Sequence, residues 1–523
     1  MKFLILLLTL FTATLFIIGC GAIDEDNTDI SMLDSAQDGA MTSSNDASFT
    51  NEHQLVFRAE DFIGAKIAVI TGSIFDQIII DYIPGAEPIY FNVDADTIEV
   101  LKNNRVDAII NDDAVIRLFM AKNPDLRMLE PFITYDNYAA VVAQGQYELL
   151  NKLNEFIDLI VNEETYDDML YRWLDSPDQP PIPYIPEGNG EVLRVGTTGI
   201  IDGFSFFKDG EITGFDIEFV KRFTSFADMT LEIVVMDVGG LIPAIQSGKI
   251  DVAASMLTIT EERQQSVSFS NPYYKGGTAL VVYIPTADTS SSLTFWQSII
   301  NGIERNLIHE NRWKLVLDGL LVSLTITFFA FTLATLLGFG VCGLKMSKNP
   351  ILRVIGNIYV TVLRGTPIVV LLMITFYVIF AKSTISGVWI AVIAFGANGA
   401  AFIGEIIRSA IQTIDKGQIE AARSMGFSTI GAFFTVTLPQ AIRIAFPVYM
   451  SEFISLFKMT SVVGYIAIVD LTKAGDIIRS RTYDAFFPLI MVALIYLITA
   501  SILIYIFNLI NQKTNKRLRR IKR

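Results

Sequence analysis

Histidine and cysteine are nearly missing from this 523-residue chain, which has two of each: His53, His309, Cys20 and Cys342. Two distant cysteines cannot make a disulfide framework, and two isolated histidines make no metal cluster. The chain also lacks a Gly-x-x-x-x-Gly-Lys-Ser/Thr loop. Ser247-Gly248-Lys249 carries only the end of one, so the chain is not expected to be an ATPase. No nucleophile–base pair is readable, so no catalytic residue and no cofactor are expected on it. What the sequence has instead is apolar residues, at 51% with a mean hydropathy of +0.45, more than an ordinary soluble enzyme carries.

Charge is split along the chain. Residues 315–523 hold 20 Lys+Arg and 8 Asp+Glu, which leaves 20 basic and 47 acidic residues of the totals of 40 and 55 for 1–314. An acidic aqueous part followed by a basic membrane part explains this split; a uniform globule does not. Residues 1–20 read as a secretory signal: Lys2, an apolar run from Phe3 to Ile18, then Gly19 and Cys20. The ending Ile17-Ile18-Gly19-Cys20 resembles a bacterial lipobox, which implies lipidation of Cys20 and an extracytoplasmic position for the residues after it; the alternative is an uncleaved signal anchor. Residues 21–54 are polar and small, a flexible tether.

From 55 to 175, strand-like runs (Ala65–Ile70, Ile89–Asn92, Val106–Asn111, Ala139–Ala143) alternate with helical patterns. Residues 176–190 carry Pro177, Pro180, Pro181, Pro183 and Pro186 and read as a stiff linker. The α/β rhythm resumes over 191–284, with strands expected at Leu193–Thr197, Leu231–Met236, Val252–Ser255 and Ala279–Ile284. Residues 285–314 form a polar bridge and an amphipathic stretch. Five membrane spans are expected within 315–523, near Leu315–Gly343, Val354–Ala381, Gly387–Ile411, Ala441–Val469 and Phe486–Ile510. Lys345, Lys348 and Arg353 after the first span, and the Lys/Arg-rich tail after the fifth, place both segments in the cytoplasm.

Between the third and fourth spans, in loop 412–440, stand Glu420-Ala421-Ala422-Arg423-Ser424-Met425-Gly426, then nine residues, then Val436-Thr437-Leu438-Pro439. Small residues let a helix lie close to another protein, Gly426 permits a sharp turn, and Pro439 is expected to end the segment. The motif resembles the EAA loop of ABC importer permeases. Arg364-Gly365-Thr366-Pro367, Glu405-Ile406-Ile407-Arg408, Lys416-Gly417-Gln418, Leu438-Pro439-Gln440-Ala441 and Lys458-Met459-Thr460-Ser461 are similar to the polar amino-acid branch. The resemblance covers about 315–510. It implies docking of a separate ATPase subunit, which binds the ATP, on Glu420, Ala421, Ala422 and Gly426. A second permease chain, expected as a homodimer, would complete the pathway. Glu405 and Arg408, three apart on one helix, are expected to pair.

Residues 193–274 resemble the first lobe of the amino-acid-binding proteins of these importers, through Gly214-Phe215-Asp216-Ile217, Ser255–Arg263 and Phe269-Ser270-Asn271-Pro272-Tyr273-Tyr274. Residues 61–174 resemble the second lobe, through Gly64–Val69, Thr71-Gly72-Ser73, Arg105-Val106-Asp107-Ala108 and Tyr166…Trp173. The order is reversed, so a circularly permuted, two-lobed α/β domain of the periplasmic-binding-protein (type II) class is expected ahead of an all-α permease; two truncated half-domains are the alternative. The resemblance implies that Arg263 pairs with a ligand α-carboxylate, Thr258 hydrogen-bonds the ligand, Met256 offers its backbone, and Ser255 belongs to the same loop. Ser73 is expected to open a helix near Ile74, turning its N–H and hydroxyl to the same anion. Asp112, at the end of a strand, is expected to hold the α-ammonium, in preference to its neighbour Asp113. Where family members often carry aromatics to read the side chain, this chain has Ile201 and Val238. Where some basic-ligand members carry an acid it has Thr198, so a small or polar neutral amino acid is the expected ligand.

Other function classes remain: an amino-acid-gated ion channel, suggested by Ser461-Val462-Val463-Gly464-Tyr465 but lacking the filter's second glycine (Ile466), and a sensor that has lost transport.

Overall fold

The computed structural model describes residues 56–176, 179–285, 295–383 and 385–521, with side chains to Gln512. Cys20, the leader and most of the tether lie outside the described residues, as do the side chains of the basic tail from Lys513.

Residues 56–285 build one two-lobed domain around a sheet. Its strands are β1 (Lys66–Ile70), β2 (Glu87–Phe91), β3 (Ala108–Asp112), β4 (Leu126–Met128), β5 (Thr134–Ala143), β6 (Val192–Thr197), β7 (Ile200–Ile201), β8 (Ser205–Lys208), β9 (Glu211–Thr213), β10 (Thr230–Val235), β11 (Val252–Ala253) and β12 (Val267–Tyr283). The order is β10-β6-β11-β5-β12-β3-β1-β2, with β4 on β12 and a small separate sheet β7-β8-β9. Short apolar runs such as Ile67-Ala68-Val69 and Ala108-Ile109-Ile110 are fully buried, as parallel strands covered on both faces must be.

Two long strands join the lobes. The register of β5 with β12 runs from Ala143↔Val267 to Thr134↔Thr278, with irregularities at Phe269/Pro272 and Pro272/Tyr274. One end of this pair adjoins β11 and β6, the other β3 and β4. The two sequence blocks therefore share one sheet and are not separate half-domains. The sequence places a strand only over Ala279–Ile284; the observed β12 begins twelve residues earlier, because the polar and glycine-bearing stretch Ser270–Gly277 is held by β5 and not by its own apolar pattern. From Gln179 onward the proline-rich connection has no regular secondary structure and is strapped down. Gln179 is buried, Lys208 Nζ donates to its carbonyl at 2.8 Å, and Arg172 donates to the Pro181 carbonyl at 3.3 Å.

The helical part opens with an amphipathic helix, Phe295–Ile303. Among the described residues, four helical stretches are long and apolar enough to cross a membrane: Trp313–Met346, Gly387–Gln412, Thr429–Ile466 and Phe486–Gln512. The expected second span is not one straight helix. Pro350–Gly365 and Ile368–Ile379 meet at 106°. Thr366 is extended (φ −93, ψ 128), the conformation a following proline imposes, and Pro367 starts the next helix. Pro439 also corrects the reading. It does not end its segment but lies in the first turn of Leu438–Met459, where its missing N–H costs little. The α-helix expected to run to Val469 stops at Met459 and tightens into a 3-10 turn, Thr460–Ile466, with Ala467 left-handed.

Direction is set by contacts. The start of Gly387–Gln412 lies against Ile466 and Ile468, and nearby Ser383 accepts from Lys249 of the two-lobed domain at 3.2 Å. A helix of 26 residues is about 39 Å long at about 1.5 Å per residue, so loop 412–440 lies at the far end of the bundle.

Candidate functional site

A cavity of about 80 Å³ lies between the lobes. One wall comes from the ends of β1 and β3 and the helix starts after them: Ser73, Ile74, Phe75, Asn111, Asp112. The other comes from the loop after β11, with Ser255, Met256 and Thr258, then Arg263, and from Ile201 and Val238. All eight residues read from the sequence as ligand-binding border this one space.

Arg263 reaches it from a one-turn helix, Glu261–Gln264, capped by Thr260 Oγ1, which accepts from the Arg263 N–H at 3.2 Å. Its guanidinium donates to the Thr258 and Gly72 carbonyls, both at 3.2 Å. Gly72 belongs to the opposite lobe, so this arginine already bridges the cleft. Among the described residues no carboxylate lies within ion-pair distance of it. Burial pushes its proton affinity down, with Glu262 opposing. A guanidinium held between two carbonyls with no anion has capacity for one.

Asp112 ends β3 on the other lobe. It accepts from the Tyr138 hydroxyl, and its N–H donates to Asn111 Oδ1 at 2.8 Å. Burial raises its pKa to about 8, the tyrosine hydrogen bond opposing and Asp136, Asp113 and Asp94 adding repulsion. Asp113 turns away. It pairs with Arg117 at 2.9 Å and accepts from the Gly277 N–H at 3.0 Å.

Three expectations change in detail. The helix begins at Phe75, and Ser73 spends both its N–H (3.1 Å) and its hydroxyl (2.6 Å) on the Ile70 carbonyl, so neither faces an anion. The Met256 N–H is committed to Asp216 at 3.2 Å, and Met256 sits at φ +46. Ser255 Oγ is 2.9 Å from Thr198 Oγ1 and is held there. These groups shape the wall; they are not idle donors. The sequence reading missed Asp94, which also lines the cavity and accepts from Asn111 Nδ2 at 3.0 Å. Burial raises its pKa to about 7 against the Asn111 hydrogen bond, with Asp202 adding repulsion. It opens the helix Asp94–Lys102, a position that reads from sequence as an ordinary first-turn acid.

A second set of contacts joins the two-lobed domain to the helical part through a short helix that the sequence did not single out, Leu471–Thr482. Asp470 caps it through the Thr472 and Lys473 N–H groups. Lys473 pairs with Asp237, Arg479 with Asp96, and Arg481 with Asp202. Asp237 and Asp202 belong to one lobe, Asp96 to the other. Lys122 ties them further, at 2.6 Å from Asp202 and 3.2 Å from the Arg481 carbonyl.

At the far end, Asp415 caps Lys416–Ser424 by accepting from the Gly417 N–H at 2.9 Å. Gly426 comes next at φ +93, a conformation that favours glycine, with open space where a Cβ would lie. Glu420 and Ala421 are exposed, whereas Ala422 is buried in the chain's own fold. The apolar surface presented here is Met425 (79% exposed), Phe427, Ile430 (71%) and Phe434 (60%). Glu405 pairs with Arg408 at 2.7 Å, as their spacing predicts, and also with Lys345.

Comparison with known proteins finds both kinds of domain on this chain. Residues 193–422 match bacterial extracellular solute-binding proteins, family 3, and residues 330–519 match the binding-protein-dependent transport system inner membrane component. Similar proteins include a permease protein of Rickettsia typhi assigned to a glutamine transport system, GlnP, 33% identical over 202 residues (38% of this chain, 92% of that protein). The L-cystine transport system permease protein TcyB of Bacillus subtilis is 32% identical over 213 residues (40% and 91%). A solved amino acid ABC transporter chain is 32% identical, covering 42% of this chain and 99% of that one, with a TM-score of 0.38. With a far-end loop of EAA type, apolar spanning helices and a two-lobed domain on the same polypeptide, this chain belongs to the inner-membrane permeases of amino-acid ABC transporters and carries its own solute-binding domain.

Proposed function

We propose that the cavity captures a free amino acid and that the helical part conducts it inward. The observation that carries this reading is the pairing of unlike charges on opposite lobes: Arg263 without a carboxylate, facing a space also lined by Asp112. A zwitterion satisfies both at once, its carboxylate on the guanidinium and its ammonium on Asp112. Ligand contacts on both walls favour the closed arrangement over the open one by their own interaction energy.

The closed domain presents Asp96, Asp202 and Asp237 together to the Leu471–Thr482 helix, so ligand occupancy is passed to the permease as a matched charge pattern. Two permease chains form the pathway, as a homodimer. Separate ATPase subunits dock on the far-end loop through Glu420, Ala421, Gly426 and the exposed Met425 and Phe427. The chain sits in the bacterial inner membrane with the binding domain outside and the C-terminus in the cytoplasm. Cys20 is lipidated after removal of residues 1–19, and the reversed order of the lobe segments is a circular permutation. No catalytic residue or cofactor resides on this chain; ATP belongs to the partner.

The experiment is calorimetry of the full chain in detergent with a panel of amino acids, against Arg263→Ala. Loss of binding in the variant is expected; retained affinity would remove the assigned site.

A further inference from the structure

Asp94 gives the cavity one acid more than a zwitterion needs. The lining holds one cation, Arg263, and two carboxylates, Asp94 and Asp112. Asn111 accepts the Asp112 backbone N–H at 2.8 Å and donates to the Asp94 carboxylate at 3.0 Å, while the Asp112 carboxylate accepts from Tyr138. Both acids line the one cavity, and neither has a cationic partner among the described residues. The positive groups nearest this wall are used elsewhere. Lys122 and Arg481 hold Asp202, and Arg479 holds Asp96, two residues beyond Asp94.

A neutral amino acid would pair its carboxylate with Arg263 and its ammonium with Asp112. It would leave Asp94 without a counter-charge, to be met only by taking up a proton. The remaining walls include Ile74, Ile200, Ile201 and Val238, which offer branched aliphatic surface, with Phe75 and Asn92 beside them and no second cation. Such walls suit a methylene stem.

Resting on the amino-acid reading above, we infer that the ligand is an amino acid with a cationic side chain, and that Asp94 holds that second cation, selecting it over neutral side chains of similar length. This replaces the expectation of a neutral ligand, which rested on Thr198 standing where some basic-ligand proteins carry an acid; here the acid comes from the opposite lobe.

The test is calorimetry on the full chain in detergent with lysine, ornithine and arginine against glutamine and glutamate, for wild type, Asp94→Asn and Asp112→Asn. Cationic ligands are expected to bind at least about tenfold more tightly than glutamine, the loss of one charge pair being ample for that. Asp94→Asn should erase the preference and leave glutamine within about threefold, while Asp112→Asn should weaken every amino acid. Should Asp94→Asn not fold, Asp94→Ser makes the same comparison, and the wild-type ranking stands without either. Glutamine binding as tightly as lysine in wild type, with Arg263→Ala still abolishing both, would overturn the inference and leave an amino-acid binder. Binding of no amino acid at all would overturn the parent reading and this one with it.

Discussion

Gly72 and Gly239 meet across the cleft from opposite lobes. A Cβ placed on Gly72 would lie 3.3 Å from the Gly239 amide nitrogen and 3.4 Å from its Cα. Gly72 is also left-handed, at φ +83, while a Cβ on Gly239 points into open space. The approach of these two backbones reports directly how far the lobes have closed.

Gly72→Val should therefore hold the cleft ajar. The left-handed conformation costs a branched residue at least about 1–2 kcal/mol, and the added methyls meet the facing backbone. Ligand affinity by calorimetry should fall about tenfold or more, whereas Gly239→Ala should change it by less than about threefold. Wild-type affinity in Gly72→Val would mean that closure at this point is not needed.

Arg263→Lys keeps a positive charge but loses the planar fork. Two parallel hydrogen bonds to a carboxylate become one flexible contact, and the bridge to the Gly72 carbonyl is lost. Affinity should drop about 10–100-fold, less than for Arg263→Ala. Equal affinity of lysine and arginine variants would show that charge alone acts here.

The two cavity acids set a pH dependence with opposite signs for stability and binding. Their pKa values in the empty protein, about 7 for Asp94 and about 8 for Asp112, lie above the unfolded value of 3.8, mainly through burial. The folded state therefore binds more protons than the unfolded one. The stabilisation is full below pH about 4 and is lost as pH rises through about 7–8. Melting of the ligand-free protein should shift downward over that window. Binding of an ammonium favours the ionised acid, so affinity should rise over the same window with proton release, read as a buffer-dependent heat in calorimetry. Asp112→Asn should flatten both trends; an unchanged profile would assign them elsewhere.

The Asp96–Arg479 pair offers a charge-swap test of docking. Asp96→Arg alone should leave amino-acid binding within about twofold and stop uptake into proteoliposomes loaded with the ATPase, and Arg479→Asp should do the same. The double swap should recover part of the uptake, coupling energies of adjacent charges being about 0.5–3 kcal/mol. No recovery would indicate that the pair is structural on each side independently.

Met425→Asp at the far-end loop should preserve binding and abolish ligand-stimulated ATP hydrolysis. The side chain is 79% exposed, so the fold loses little, while an apolar contact surface gains a charge that an interface would have to desolvate. Normal stimulation would exclude this face as the docking surface.

The sequence by itself determined those parts whose physics is local. Buried runs such as Lys66–Ile70 and Ala108–Asp112 announce strands because both faces need apolar residues. The spanning stretches announce themselves by length, and the Glu420–Gly426 loop by contiguous residue types. Arg263 was singled out by the motif Ser255–Arg263, and Asp112 by its place at the end of a strand. The 106° break was written in Thr366-Pro367, yet its angle depends on what the second half packs against.

Tertiary structure alone decided what depends on distant partners. Asp94 reads locally as a helix-opening acid, and becomes part of the cavity only because β3 brings Asn111 against it, 17 residues away. Leu471–Thr482 is too short and too charged to read as a span. Lys473 and Arg479 are tolerated at low exposure because Asp237 and Asp96, 236 and 383 residues earlier, lie opposite them. Ser73 went the other way: its type and place suggested a ligand contact, but the Ile70 carbonyl, three residues back, takes its hydroxyl. That competition is local, a serine hydroxyl turning back on a carbonyl three residues earlier, whereas the partners of Asp94, Lys473 and Arg479 are set only by the tertiary fold.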